Sequence, residues 1–129
     1  MKRPSKKLIV TVEKTDTGFS AFAEDVNVFT TASDIAELTT NLLEALNLHF
    51  EENGIIVRPD DLRLTIDLPQ FFRYYRVLNA SFLAKRIGMN PTLLSQYVNG
   101  QKRPSQRQVR RIMAGIQDIG KELASIDLL

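Results

Sequence analysis

The chain has 129 residues, 43% of them apolar and 25% charged, the balance of a folded globular protein rather than a disordered one. It has no cysteine, which excludes disulfide frameworks, thiolate zinc sites and cysteine nucleophiles. Its formal charge of +2 conceals a partition: residues 1–68 hold 7 basic and 12 acidic side chains, net −5, whereas residues 69–129 hold 10 and 3, net +7.

From Leu68 to Gln117 there is no acidic residue but there are nine Lys or Arg, a bias that points to a polyanion on that side. The length fits one domain or two small ones of roughly 65 residues. The charge step places the two at 1–68, with residues 1–7 a basic tail, and 69–129. After that tail the apolar run Leu8-Ile9-Val10 is cut short by Thr11, Glu13 and Lys14, too short for a signal-peptide core. No stretch approaches the roughly 20 apolar residues of a membrane span, so the expectation is a cytoplasmic protein.

Leu8, Val10 and Val12 alternate with Ile9, Thr11 and Glu13, a strand period. Thr15-Asp16-Thr17-Gly18 is a turn, and Phe19 to Ala23 gives a second strand, forming a hairpin with the first. Val28 to Thr30 adds a short third strand. Thr31 is the expected cap of a helix, with Asp34 closing a capping box. Ile35, Leu38, Leu42, Leu46 and Phe50 fall on one face of that helix, which should end at Asn53-Gly54 with a left-handed glycine. Beyond Pro59, Leu62, Leu64, Ile66 and Leu68 alternate with Arg63, Thr65 and Asp67, the most regular strand pattern in the chain. The order is β-β-β-α-β, a small sheet carrying one helix.

This half resembles the HicB antitoxin domain, a shortened RNase H-like fold. The resemblance lies in the hairpin Val12-Glu13-Lys14-Thr15-Asp16-Thr17-Gly18-Phe19 and the short strand leading into Thr31-Ala32-Ser33-Asp34. It extends to the long helix ending Leu48-His49-Phe50-Glu51-Glu52. Catalysis by this half would need carboxylates converging on metal ions, and Glu13, Glu24 and Asp25 at strand ends do not share a face by alternation. His49, the sole histidine, sits at the edge of the apolar helix face without a Gly-x-Ser-x-Gly context or further ligands. The expectation is no catalytic residue, no metal and no cofactor. Between Leu8 and Leu68 the chain holds 3 basic and 12 acidic residues, a surface suited to a basic protein partner. The HicB resemblance implies that this partner is a small HicA-type toxin, a ribonuclease whose active face the acidic domain would block.

In the basic half Pro69 suits the first turn of a helix, with Phe71, Tyr75 and Leu78 on one face. The aromatics of Phe71-Phe72-Arg73-Tyr74-Tyr75-Arg76 fit a core better than base stacking, leaving Phe72 and Tyr74 for a subunit interface. Ser81 to Ile87 reads as a helix ended by Gly88. Asn90-Pro91 opens another, carrying Leu93, Leu94, Tyr97 and Val98 and stopping at Asn99-Gly100. Ser105-Gln106-Arg107-Gln108 is a capping box for a last helix with Val109, Ile112, Met113, Ile116 and Ile119 on one face.

Two short helices around a glycine turn make a helix-turn-helix unit, and the chain as a whole reads as α+β: a small sheet domain followed by an all-α one. Residues 82 to 105 closely resemble the lambda-repressor-like (Xre) family. Leu83-Ala84 precedes the turn Gly88, Asn99-Gly100 follows the second helix, and Arg103-Pro104-Ser105 opens the next. On the second helix Asn90, Thr92, Ser95 and Gln96 are the candidates for base edges, because amide and hydroxyl side chains at an exposed helix N-terminus reach into the major groove. Ser81, Lys85, Asn99, Lys102, Arg103 and Arg107 are the candidates for phosphate contact. One such unit reads a half-site, so a homodimer or higher homo-oligomer on a palindromic DNA operator is expected. Two alternatives stay open from the sequence: a stand-alone regulator whose acidic domain binds a ligand or oligomerises, and a metal-dependent nuclease.

Overall fold

The computed structural model describes residues 2–128. The chain is α+β, a four-stranded mixed sheet with one helix followed by a helical segment. It divides into two compact units, Met1–Gln70 and Phe71–Leu129.

The first unit contains β1 (Leu8–Thr15), β2 (Gly18–Ala23), β3 (Val28–Ala32), α1 (Ile35–Phe50) and β4 (Leu62–Ile66). The sheet order is β3-β2-β1-β4. β1 pairs antiparallel with β2, Val12 opposite Ala21, and parallel with β4, Val10 beside Leu64. α1 supplies the crossover that a parallel pair requires. Leu8, Val10 and Val12 from β1, Ala21 and Ala23 from β2, and Leu38, Leu42 and Leu46 from α1 are buried together, so one sheet face and one helix stripe make the core.

The hairpin depends on Gly18. Its φ is 157°, and a Cβ built there would lie 2.1 Å from the Ala32 carbonyl oxygen of β3. β4 ends at Ile66, yet the edge of β1 stays paired beyond it. The Asp67 N–H donates to Val12 O (2.9 Å), and the Gln70 amide takes over the ladder, accepting from Lys14 N–H (3.0 Å) and donating to Lys14 O (2.6 Å). Asn47 does the same for the segment after α1, accepting from Val57 N–H and donating to Val57 O.

One expectation changes here. Thr31 does not cap α1: it stays in β3 opposite Ser20, and Asp34 is the cap, accepting from Glu37 N–H (2.8 Å) while the Ser33 hydroxyl donates to the Glu37 carboxylate. The helix end is as expected in kind, a 3₁₀ turn (Glu51–Asn53) and then Gly54 at φ 67°. β4 is a strand as its alternation predicts; it lies at the sheet edge, and Leu64 remains 38% exposed. The basic tail is tied to this unit. Lys2 bridges to Ile55, and the Arg3 guanidinium donates to both Asp61 carboxylate oxygens and to Asp60, at 2.8 Å each.

The second unit contains most of α2 (Leu68–Tyr74), then α3 (Ala80–Ile87), α4 (Pro91–Val98) and α5 (Gln106–Ala124). Leu83, Ala84, Met89, Leu94, Tyr97, Val109 and Ile112 are its buried hydrophobic residues on these last three helices and the turn between α3 and α4. α3 and α5 approach so closely at Gly115 that an added Cβ would sit 2.4 Å from Ile87 Cγ2. Phe72, expected at a subunit interface, is buried, and Phe71 and Phe72 meet edge to face. Tyr74 keeps 39% of its surface exposed. Among the described residues, no helix is long and apolar enough to cross a membrane, and no group of three His, Asp or Glu side chains is placed to hold a metal ion. His49 is exposed, its ring set edge-on to Phe50.

Candidate nucleic-acid interface

α3 begins one residue earlier than the sequence suggests, because Asn79 caps it by accepting from Phe82 N–H (3.0 Å). It ends at Gly88, whose left-handed φ of 70° lets its N–H return to Ala84 O and Lys85 O. Met89 is buried, and its N–H donates to Ala84 O (2.9 Å), so the turn is folded under the two helices. Asn90 then caps α4, accepting from Thr92 N–H (2.8 Å) and Leu93 N–H (3.4 Å), with Pro91 at the first helical position.

One cation reinforces this turn. Arg111 on α5 donates through Nη2 to Ile87 O and Gly88 O, both at 2.8 Å, neutralising carbonyls at the C-terminal end of α3 that have no helical partner. In the sequence Arg111 falls off the apolar face of the last helix, where a solvated side chain is the ordinary expectation. Nothing local marks its role, which exists only once α5 crosses α3. Arg86 is likewise engaged, paired with Glu122.

α4 is two-sided. Leu94 and Tyr97 are buried, and at 100° per residue the opposite side carries Thr92, Ser95, Gln96 and Asn99. Thr92, Ser95, Asn99 and the cap Asn90 are exposed, and Gln96 is half-buried at the margin. The Asn99 amide donates to Ser95 Oγ (3.2 Å) one turn earlier on the same face. The four residues expected to meet base edges therefore share one polar surface with Asn99.

The loop after α4 is fastened to this surface. Gln101 N–H and Lys102 N–H both donate to Gln96 O, at 2.8 and 3.2 Å, and Lys102 and Arg103 are exposed on it. Of the other phosphate candidates, Ser81 lies exposed in the first turn of α3. Lys85 is exposed further along, its ammonium 5.3 Å from the Phe82 ring centroid. Arg107 is exposed in the first turn of α5, which Ser105 caps by accepting from Gln108 N–H (3.2 Å).

A helix closed by a left-handed glycine, a buried turn and a second helix with an amide- and hydroxyl-bearing outer face define the helix-turn-helix class of DNA-binding regulators. Residues 75–117, about a third of the chain, match the helix-turn-helix family model, and the match implies a DNA-binding regulator. No curated protein and no solved structure matches the chain.

Proposed function

We propose that the protein is the antitoxin of a type II toxin-antitoxin pair. Its first unit neutralises a small basic HicA-like mRNA-cleaving toxin, and its helix-turn-helix unit represses the shared operon. The observation that carries the reading is the separation of charge between the two units. Residues 15–57 hold eight acidic side chains and no Lys or Arg, and residues 69–117 hold nine Lys or Arg and no acid. A polyanion and a polycation can thus be held by one chain without competing for the same surface.

On the first unit the outward side of α1 concentrates the negative charge. Glu37, Glu44, Glu51 and Glu52 are exposed on α1 and the turn after it, the last three within about one turn of Leu48, which is 72% exposed. A large apolar side chain ringed by carboxylates suits an apolar contact on a basic protein. The β-β-β-α-β order supports the HicB-like reading of this unit. On the second unit, base contact is assigned to Asn90, Thr92, Ser95 and Gln96 and phosphate contact to Ser81, Lys85, Asn99, Lys102, Arg103 and Arg107, a reading supported by the exposure of all of them but the half-buried Gln96.

The operator is read by two copies. Val109, Ile112, Ile116, Ile119 and Leu123 recur along α5 at alternating spacings of three and four, the seam of a paired helix, and Ile126 follows just past the helix end. The seam is buried at Val109 and Ile112 but 61% exposed at Leu123, and Ile126 beyond it is 62% exposed. That exposed end supports a homodimer.

The test is co-expression with the adjacent small basic reading frame. The expected result is a complex that co-purifies and rescues growth, and that Leu48→Asp combined with Glu44→Lys disrupts while leaving operator binding intact. Absence of such a frame, or a complex indifferent to both substitutions, would count against the antitoxin reading.

A further inference from the structure

The reading surface of α4 carries two primary amides, and the fold makes them chemically unlike. Asn90 Oδ1 accepts from two backbone N–H groups, those of Thr92 and Leu93. These belong to the first helical turn, where N–H groups have no acceptor within the helix. They can be met only by an oxygen, so the orientation of the Asn90 amide is fixed. A carbonyl oxygen has two acceptor positions, and both are taken. Only the NH₂ of Asn90 remains for an external partner.

Gln96 differs. Its backbone oxygen is held by Gln101 and Lys102 N–H, which fixes where the residue stands. Its side-chain amide makes no hydrogen bond with a described residue, so it keeps both a donor and an acceptor. Thr92 lies one turn earlier on the same side, and the Ser95 hydroxyl, accepting from Asn99, has its proton available for an acceptor.

Adenine presents N7 as acceptor and N6–H₂ as donor in the major groove, and an amide identifies it by meeting both at once. A donor-only group cannot do this. It favours guanine O6 or thymine O4, which offer an acceptor where adenine offers a donor. We infer that Gln96, not Asn90, is the adenine-reading residue. Each half-site then holds an A·T pair facing Gln96, and the base facing Asn90 is read through an acceptor alone, with guanine or thymine favoured. This deepens the DNA-binding proposal and rests on α4 being the recognition helix.

The test is selection of randomised duplex DNA by the full chain and by two near-isosteric variants, followed by binding titrations on the selected site. Wild type should enrich a site with one fixed adenine per half. Gln96→Glu, an acceptor-only side chain, should move that position from adenine to cytosine, with adenine discrimination falling about 5- to 150-fold. Asn90→Asp keeps the cap but lacks the NH₂, so it should retain the adenine and lose selectivity at a different position, one occupied by guanine or thymine. Gln96→Ala, which should lose the adenine without gaining cytosine, separates a change of chemistry from a change of shape. Loss of the adenine in Asn90→Asp, or its retention in Gln96→Glu, overturns the assignment while leaving DNA recognition standing. Failure of wild type to enrich any sequence overturns the recognition-helix reading and this inference with it.

Discussion

Lys102→Ala removes one charge from the loop beside α4 without loosening the loop, whose backbone is held by the Gln101 and Lys102 N–H groups on Gln96 O. Lys102 is exposed, whereas Arg86 is paired with Glu122 and Arg111 is spent on the Ile87 and Gly88 carbonyls. If Lys102 neutralises a phosphate, each lost contact changes the slope of log K against log[salt] by about 0.9. A dimer carries the substitution twice, so the slope should flatten by about 1.8. Between 50 and 200 mM salt, wild type should then lose about 12-fold more affinity than the variant. Fluorescence anisotropy on operator and on unrelated duplex, across that salt range, measures both slopes. The flattening should be the same on both DNAs, because phosphates carry no sequence. Parallel salt plots for variant and wild type would refute the placement of Lys102 on the DNA backbone.

Gly18→Ala forces a Cβ to within 2.1 Å of the Ala32 carbonyl, a backbone atom held in the sheet, and should cost about 3 kcal/mol of stability in urea unfolding; an unchanged midpoint would refute the close approach. Leu123→Asp combined with Ile126→Asp should convert a dimer to a monomer by light scattering and weaken binding to a full palindrome more than to a half-site, and a variant that remains dimeric would place the interface elsewhere. The Arg3 side chain, first, and the Arg58 N–H, second, hold the Asp61 carboxyl below its ordinary value. The stabilisation is therefore complete at neutral pH and lost as pH falls through the folded value of Asp61. Arg3→Ala should destabilise at pH 7 and converge with wild type below the ordinary aspartate range, about 4; a pH-independent difference would show that Arg3 acts by packing alone.

Local patterns were legible where local chemistry decides the outcome. The alternation from Leu8 to Val12, the four-residue spacing of Leu38, Leu42 and Leu46, the glycine ends at Gly54 and Gly88 and the Asn90-Pro91 start all hold in the structure. Failures occurred where two local rules competed or where the fold intervened. Thr31 and Asp34 both suit a helix start, and the cross-strand partner of Thr31, three-dimensional information, decided for Asp34. The alternation from Leu62 to Ile66 predicts a strand but not that it lies at the sheet edge. The surface of α4 was readable from side-chain types, but the difference between Asn90 and Gln96 was not, since it depends on which lone pairs are already occupied. Arg111 was invisible as a turn-holding residue because its partners lie 23 and 24 positions away.

The parallel pairing of β1 with β4 sets the order in which the chain can acquire structure. Leu8 and Leu62 are 54 positions apart, and every rung between the two strands closes a loop of that size. The β1–β2 hairpin and the contacts of α3 with α4 close over far shorter stretches. Local contacts form quickly and long-range strand pairing slowly, so the sheet unit should be the slower of the two to mature. On the ribosome, β1 cannot obtain its second neighbour until residue 66 has emerged from the exit tunnel. Until then β1 is an exposed edge in a nascent chain, open to pairing with the wrong strand. A newly made chain therefore passes through an interval in which its acidic unit is incomplete, an interval that ends only when β4 is free to pair with β1.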